Sequence, residues 1–291
     1  MASAAGENFP VALRVLPSRY RRHLANLYCF ARLTDDLGDE AAHAGSDDAA
    51  HAGTDEAAHA GTDTVTLRLR LLDELAADVA RIYDGGTPAS PVMRAMAETV
   101  AECQVPAQPL LDLIEANRQD QRVTRYRTFA ELAAYCQLSA NPVGRIVLHI
   151  FGAATPERVA ASDSICTALQ LAEHWQDVPE DLRNGRIYLP AEDMERHGCT
   201  EADLAAPAAA PRVRELIRDE TERAEALLDA GAPLVGTLRG AARLAVAGYV
   251  AGGRAALAAI RRQRYDVLAG TPRPRKPRLA AALAAAYLRG R

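Results

Sequence analysis

From about residue 19 to residue 264, apart from a short acidic insert, apolar residues recur mostly at intervals of three and four, and no stretch alternates Val, Ile and Thr at a strand-like period of two. A chain patterned this way can bury a core only by packing helices against one another. About a fifth of its residues are alanine, the strongest helix former, and aromatics make up only 5%. With 291 residues, 49% of them hydrophobic and 25% charged, there is enough apolar material for one large or two small domains, which excludes wholesale disorder and fibrous repeats. The expected fold class is all-α.

Local signals place the helices. Leu16-Pro17-Ser18 precedes one from Arg19 to about Glu40, and Val65 to Tyr83 carries a second that stops at Gly85-Gly86-Thr87-Pro88. Ser90-Pro91 and Pro109 start two more, the latter running to about Asp120. Thr128 and Glu131 form a capping box for a helix reaching Phe151 with an interruption at Asn141-Pro142. Ser162 to about Val178, Pro211 to Ala230 and Leu234 to Arg264 complete the set. No linker of domain-separating length lies between them, so residues 1–291 read as a single helical domain.

Two segments stand apart. AAHAGSDD, AAHAGTDE and AAHAGTDT follow one another over residues 41–64, a period of eight that fits no core-burying repeat, so a disordered acidic insert is expected. Its His43, His51 and His59 lie beside carboxylates and could bind a metal weakly, against the ordering entropy of an unstructured tract. The insert holds five acids and no Lys or Arg, so without it the net charge of −4 turns slightly positive. At the other end, residues 254–291 hold ten basic groups and one acid, Asp266, and 265–291 reads as a basic tail. The tail is either a solvated arginine-rich end or a contact for an anionic membrane; without interleaved aromatics, nucleic acid is not an expected partner. Five scattered cysteines, none spaced CxxC, point to neither a disulfide framework nor a zinc site and suit a reducing, cytoplasmic compartment. No signal-peptide pattern opens the chain, and the apolar run from Leu244 to Gly253 is half a membrane span, so no transmembrane helix is expected.

Chemistry enters with two sets of acids. Leu24, Leu27, Tyr28 and Ala31 form a stripe whose continuation reaches Asp35 and Asp39, with Asp36 beside them. The alternative is a helix that ends near Asp36 in a wet acidic terminus, although acids at a helix C-terminus oppose the macrodipole. A second stripe carries Cys166, Gln170, Glu173, Asp177 and Asp181 in the same three-and-four rhythm. Carboxylates on an inward face need cations. Oxygen donors of this kind suit Mg²⁺ with a phosphate-bearing substrate, and only His174 interrupts them, which argues against zinc and against a Glu-x-x-His di-iron site.

The residues Arg32 with DDLGDE, and Leu169 to Asp181 running into Asn184-Gly185-Arg186-Ile187-Tyr188-Leu189-Pro190, resemble the two aspartate-rich motifs of the squalene/phytoene synthase family. Asn8-Phe9-Pro10, Asn117-Arg118-Gln119-Asp120, Thr124-Arg125-Tyr126, Tyr135-Cys136 and Ser139-Ala140-Asn141-Pro142-Val143-Gly144 extend the likeness, which is strongest to the hydroxysqualene synthase branch. The resemblance implies an isoprenoid-synthase helical bundle with a central cavity, two or three Mg²⁺ ions, and no NADPH for the hydroxysqualene reaction. It also implies presqualene diphosphate or farnesyl diphosphate as substrate.

Carried over residue by residue, the resemblance makes Asp35, Asp39, Asp177, Asp181 and Tyr135 the catalytic set. Asp35, Asp36, Asp39, Glu173, Asp177 and Asp181 become the metal set. Asn8, Phe9, Arg32, Asn141, Gln170, Arg186 and Tyr249 become substrate contacts. Glu173 stands where the family usually has Asn, Pro179 where Gly is common, and Asn8 where Ser is frequent; Pro179 should break the helix before Asp181. Leu138, Val143, Val147 and Phe151 are either cavity lining or plain core. Tyr249 is either a cavity group or a buried gap-filler, and Arg186 either a diphosphate contact or a loop cap. The kink at Asn141, with Ser139 and Tyr135, forms a polar spot able to hold a water, unless Asn141 merely satisfies the broken helix. Three functions follow: conversion of presqualene diphosphate to hydroxysqualene, head-to-head condensation of prenyl diphosphates, or non-catalytic isoprenoid or metal binding.

Overall fold

The structure, a computed structural model, describes residues 16–39, 54–273 and 287, with side chains over 16–38, 63–273 and 287. The chain divides into two compact units, Arg22–Val123 and Met1–Arg21 with Thr124–Arg291. Among the described residues there is no β-strand, only an isolated parallel bridge between Arg125 and Ile187. The all-α expectation holds.

The Arg22–Val123 unit is built from most of α1 (Ser18–Asp39) with α2 (Thr54–Tyr83), α3 (Pro91–Cys103) and α4 (Ala107–Asp120). Helix α2 begins eleven residues before Val65, so the last copy of the octad and the end of the second are helical, correcting the expectation of disorder over residues 54–64. The physical reason is local: the segment is rich in alanine, which extends an existing helix without a second nucleation. The remainder of the insert, with His43 and His51, lies outside the described residues. Helix α3 starts at Pro91 as expected, yet Ser90 makes no side-chain cap. Instead Asp78 of α2 accepts the amides of Ala89 and Ser90, each at 2.9 Å, and pairs with Arg81. Burial works against the Asp78 charge, but these donors outweigh it and hold the carboxyl below its ordinary value.

In the other unit follow α5 (Phe129–Ser139), α6 (Asn141–Ile150), α7 (Pro156–Gln176), α8 (Val178–Arg183), α9 (Ala191–Arg196), α10 (Glu201–Leu204), α11 (Pro211–Gly231), α12 (Leu234–Thr237) and α13 (Gly240–Arg262). Helix α7 is its axis, packed by α6, α11 and α13. The approach of α11 is so close that a Cβ on Gly231 would stand 2.5 Å from the Ala161 carbonyl oxygen of α7. Likewise a Cβ on Gly144 of α6 would meet Ser162 Oγ at 2.4 Å and Cys166 Sγ at 2.5 Å. The single helix expected from Leu234 to Arg264 is broken at Leu238 and Arg239, whose backbone is extended.

Helix α13 is longer than the apolar run that marks it in sequence and has the length and composition of a membrane span, with mean hydropathy 1.2 over its most apolar window. That window is 61% buried and packs on α7 and α11, as a core helix does. The expected tail also starts later than 265, because Val267 and Leu268 are buried and Asp266 is an anchor. Its carboxylate accepts the amides of Ala209 and Ala269 and pairs with Arg214 at 2.6 Å.

Candidate active site

The first acidic set lies on the last turns of α1. The buried stripe of that helix is Leu24, Leu27, Phe30, Thr34 and Gly38, with Tyr28 and Ala31 half-buried. Asp35 is exposed and Asp36 half-buried, so these carboxylates stand beside the core stripe and do not replace core positions, which corrects the sequence reading. Placing them on the flank avoids the desolvation that a fully inward carboxylate would suffer. Gly38 takes the inward position because α4 lies against it: a Cβ there would be 2.5 Å from Asn117 Oδ1. Gln121 Nε2 donates to Gly38 O and Asn117 O, both at 3.1 Å, and Asn117 Nδ2 faces Asp35 Oδ1 at 3.5 Å. The Asn117–Gln121 motif thus braces the turn that carries the acids. Arg32, matched to a diphosphate contact, pairs with Asp36 at 2.9 Å one turn along the same helix. Asp39 ends α1, its side chain outside the described ones, and Asn8 and Phe9 lie outside the described residues.

The second acidic set belongs to the other unit. Helix α7 stops at Gln176, and Asp177 caps its end and begins α8. The break falls before Asp181, as Pro179 leads one to expect, yet the ladder survives it. Asp177 N donates to Glu173 O at 3.0 Å and Asp181 N to Asp177 O at 2.9 Å, so the three acids remain one helical turn apart. Glu173 is exposed, Asp177 and Asp181 are half-buried, and the Asp177 side chain makes no capping hydrogen bond to α8. Burial first, and then the charge of Glu180, raises the Asp177 carboxyl above its ordinary value, while Arg273 opposes the rise. Arg273, which sequence reasoning left in the tail, reaches this site because Gln176 Nε2 holds Pro272 O. No periodicity signals such a contact, since it joins residues nearly a hundred positions apart.

Around this ladder lies a cluster of rings. His174 stacks on Tyr188 with centroids 3.6 Å apart, and Tyr188 stacks on Tyr126 and Tyr135, each at 5.9 Å. Burial, reinforced by Arg186, holds the His174 imidazole down to about 3, so it is neutral. Gln170 Nε2 lies 3.2 Å from His174 Nε2. Tyr135 is buried, and Tyr249 is half-buried as a residue while desolvation pushes its phenol up, with the nearby Cys166 adding to the rise. The Cys166 thiol is pushed up to about 12 by burial, the behaviour of an inert core thiol and not a nucleophile. Asn141 is buried and its Oδ1 accepts the Thr167 hydroxyl at 2.9 Å, tying the kink to α7, while Ser139 Oγ donates to Tyr135 O at 3.2 Å. Of the four apolar candidates on the kinked helix pair, Val147 is buried, and Leu138, Val143 and Phe151 are half-buried.

Among the described residues, no three His, Cys, Asp or Glu side chains gather into a ready metal-ligating group. The donors of both sets nonetheless fit a hard cation: they are carboxylate oxygens, and a half-buried Asp177 crowded by Glu180 is an electrostatic condition that a divalent ion relieves.

A squalene/phytoene synthase family model matches residues 2–281. Hydroxysqualene synthases from Rhodopseudomonas palustris and Sinorhizobium fredii are 31% and 30% identical to this chain, each over 80% of it and 72% of the relative. Phytoene synthase from Arthrospira platensis is 29% identical over 75% of the chain and 68% of its own length. Among solved structures, squalene synthase from Alicyclobacillus acidocaldarius superposes with a TM-score of 0.76 at 41% identity, covering 89% of each chain. A dehydrosqualene synthase solved with a ligand shares the fold, with a TM-score of 0.79 at 24% identity over 99% of this chain and 93% of its own. With its helical architecture, both aspartate-rich motifs and these likenesses in agreement, the chain belongs to the squalene/phytoene synthase family, enzymes of isoprenoid biosynthesis.

Proposed function

We propose that this protein converts presqualene diphosphate to hydroxysqualene in a Mg²⁺-dependent reaction that needs no NADPH. The observation that carries this reading is the likeness to hydroxysqualene synthases over four-fifths of the chain, with every required aspartate retained. In the reaction the C–O bond to diphosphate breaks and the cyclopropylcarbinyl cation rearranges. Water then adds its oxygen and releases a proton, so the products are hydroxysqualene, diphosphate and H⁺. When bound by Asp35, Asp36 and Asp39 or by Glu173, Asp177 and Asp181, Mg²⁺ supplies positive charge for the departing diphosphate. Each set also has a planar donor fork suited to diphosphate oxygens on its own unit: Arg186 beside the second set, and Arg32, after exchanging Asp36 for substrate, beside the first. Tyr126, Tyr135 and Tyr188 provide a largely water-excluding aromatic wall, and Gln170, Tyr249 and the Asn141–Thr167 pair its polar points. A second reading, head-to-head condensation of prenyl diphosphates, is favoured by the phytoene synthase likeness.

Incubation of the purified protein with presqualene diphosphate or farnesyl diphosphate, with and without Mg²⁺ and NADPH, separates the two by mass spectrometry. In ¹⁸O-water, hydroxysqualene should carry the label; an unlabelled alcohol, or hydrocarbon alone from the wild type, overturns the assignment. We further place the enzyme in the cytoplasm, peripherally on anionic membrane through the basic groups beyond Arg273. Vesicle sedimentation unchanged by truncation after Arg273 rejects the membrane contact.

A further inference from the structure

The side on which Arg186 is presented follows from what stands two residues beyond it. Residues around Ile187 run extended, with Ile187 bridged to Arg125 and its amide donating to Thr124 O at 2.9 Å. In extended chain, residues i and i+2 share a face, so Arg186 and Tyr188 point one way and the buried Ile187 the other. The Tyr188 ring lies flat on His174 of α7, 13° from parallel at 3.6 Å. That shared face is therefore turned to α7, on the side where the imidazole lies. The imidazole is itself fixed. Gln170 Nε2, one turn earlier on α7, lies 3.2 Å from His174 Nε2 and ties the ring to its own helix. Arg186 N also donates to Asp181 O at 2.8 Å, attaching the segment to the end of the acidic ladder.

We propose that His174 is a positioning residue for Arg186: its ring, stacked under Tyr188, sets the rotation of the extended segment and so presents the guanidinium alongside Glu173, Asp177 and Asp181. The proposal rests on the reading of Arg186 as a diphosphate contact. What matters is a flat ring at position 174, so His174→Phe preserves the device, whereas His174→Ala and the volume-filling His174→Leu remove it.

The test is calorimetric titration of inorganic pyrophosphate with Mg²⁺ into the full chain, with far-UV circular dichroism and Trp175 fluorescence to confirm folding. Arg186→Ala and His174→Ala should each weaken pyrophosphate about tenfold, while the double variant binds no more weakly than Arg186→Ala alone. His174→Leu should match His174→Ala, carrying the test if the alanine variant does not fold, and His174→Phe should stay within about twofold of wild type. Unchanged affinity in both His174→Ala and His174→Leu, or a full additional loss in the Arg186→Ala background, overturns the positioning role and leaves the diphosphate contact standing. Unchanged affinity in Arg186→Ala removes the contact itself, and the proposal with it.

Discussion

Glu220 on α11 is 1% exposed and shares a buried site with Asp193 of α9, also 1% exposed. Arg223 bridges them, 2.9 Å from each carboxylate, with Phe129 under its guanidinium at 4.3 Å and Arg196 on Asp193 at 2.5 Å. Burial, against the pull of Arg223 and with the help of Asp193, pushes the Glu220 carboxyl up to about 8, so the folded protein holds a proton there at neutral pH. An acid whose pKa is raised by folding stabilises fully below its unfolded value and loses that contribution as pH climbs to the folded one. For Glu220 the window runs from about 4.5 to about 8. At roughly 1.4 kcal/mol per pH unit, about 3 kcal/mol is gone at pH 7 and about 5 kcal/mol by pH 9. Glu220→Gln stays neutral at every pH and can still donate to Asp193, so its advantage over wild type should grow with pH. At about 2 °C per kcal/mol, its Tm should exceed wild type by about 6 °C at pH 7 and about 10 °C at pH 9, and by little at pH 5. Trp175, the only tryptophan, donates its indole N–H to Glu220 O at 3.2 Å, so intrinsic fluorescence melts report this site directly. A Tm difference that is constant with pH, or that favours wild type at pH 9, refutes the argument.

Asp35→Asn and Asp177→Asn should each lower turnover by several orders of magnitude while leaving far-UV circular dichroism unchanged, since both side chains are off the core; near wild-type rates in either would remove that acid from the metal set. Replacing residues 41–53 with a short flexible linker should keep activity within a fewfold, measured as steady-state product formation, because that stretch precedes α2. Gly231→Ala should lower stability by about 1–3 kcal/mol in urea unfolding, because the added carbon meets the Ala161 carbonyl, which cannot swing aside as a side chain can. An unchanged or raised midpoint would mean that α11 and α7 separate freely.

Several helix starts were legible from local signals, although α7 begins at Pro156, capped by Thr155, six residues before the expected Ser162, and α4 begins at Ala107, two before Pro109. Pro91 and Pro211 begin helices where proline at the first position suits the missing N–H, and Thr128 accepts the Glu131 amide as its capping pattern requires. The interruption at Asn141-Pro142 divides α5 from α6 for the same kind of reason. What escaped was tertiary. Asp78 holds the two residues that lead into α3, and Asp266 anchors what composition alone assigns to a tail. Asp35 illustrates a subtler limit. A periodicity of three and four is satisfied by two adjacent stripes of one helix, through Leu27, Phe30 and Thr34 or through Tyr28, Ala31 and Asp35, and only the partner helix selects between them. Here the selection is made at Gly38, where Asn117 leaves no room for a side chain.

Pro179 shows why a departure from a family pattern can be neutral in geometry. Proline removes an amide donor, which is damaging inside a helix but harmless in its first turn, where the amide has no intrahelical acceptor. The chain exploits that difference by ending α7 at Gln176 and restarting at Val178, so that proline falls in the first turn of α8. The junction residue, Asp177, then has its carbonyl engaged by both Glu180 N and Asp181 N at 2.9 Å, and its own amide engaged by Glu173. Its backbone is thus satisfied without recourse to its side chain, whose carboxylate is left for chemistry at the start of α8, where the helix dipole favours negative charge. A glycine at 179 would permit the same path at a greater loss of chain entropy, so the proline fixes a break that the acidic ladder tolerates.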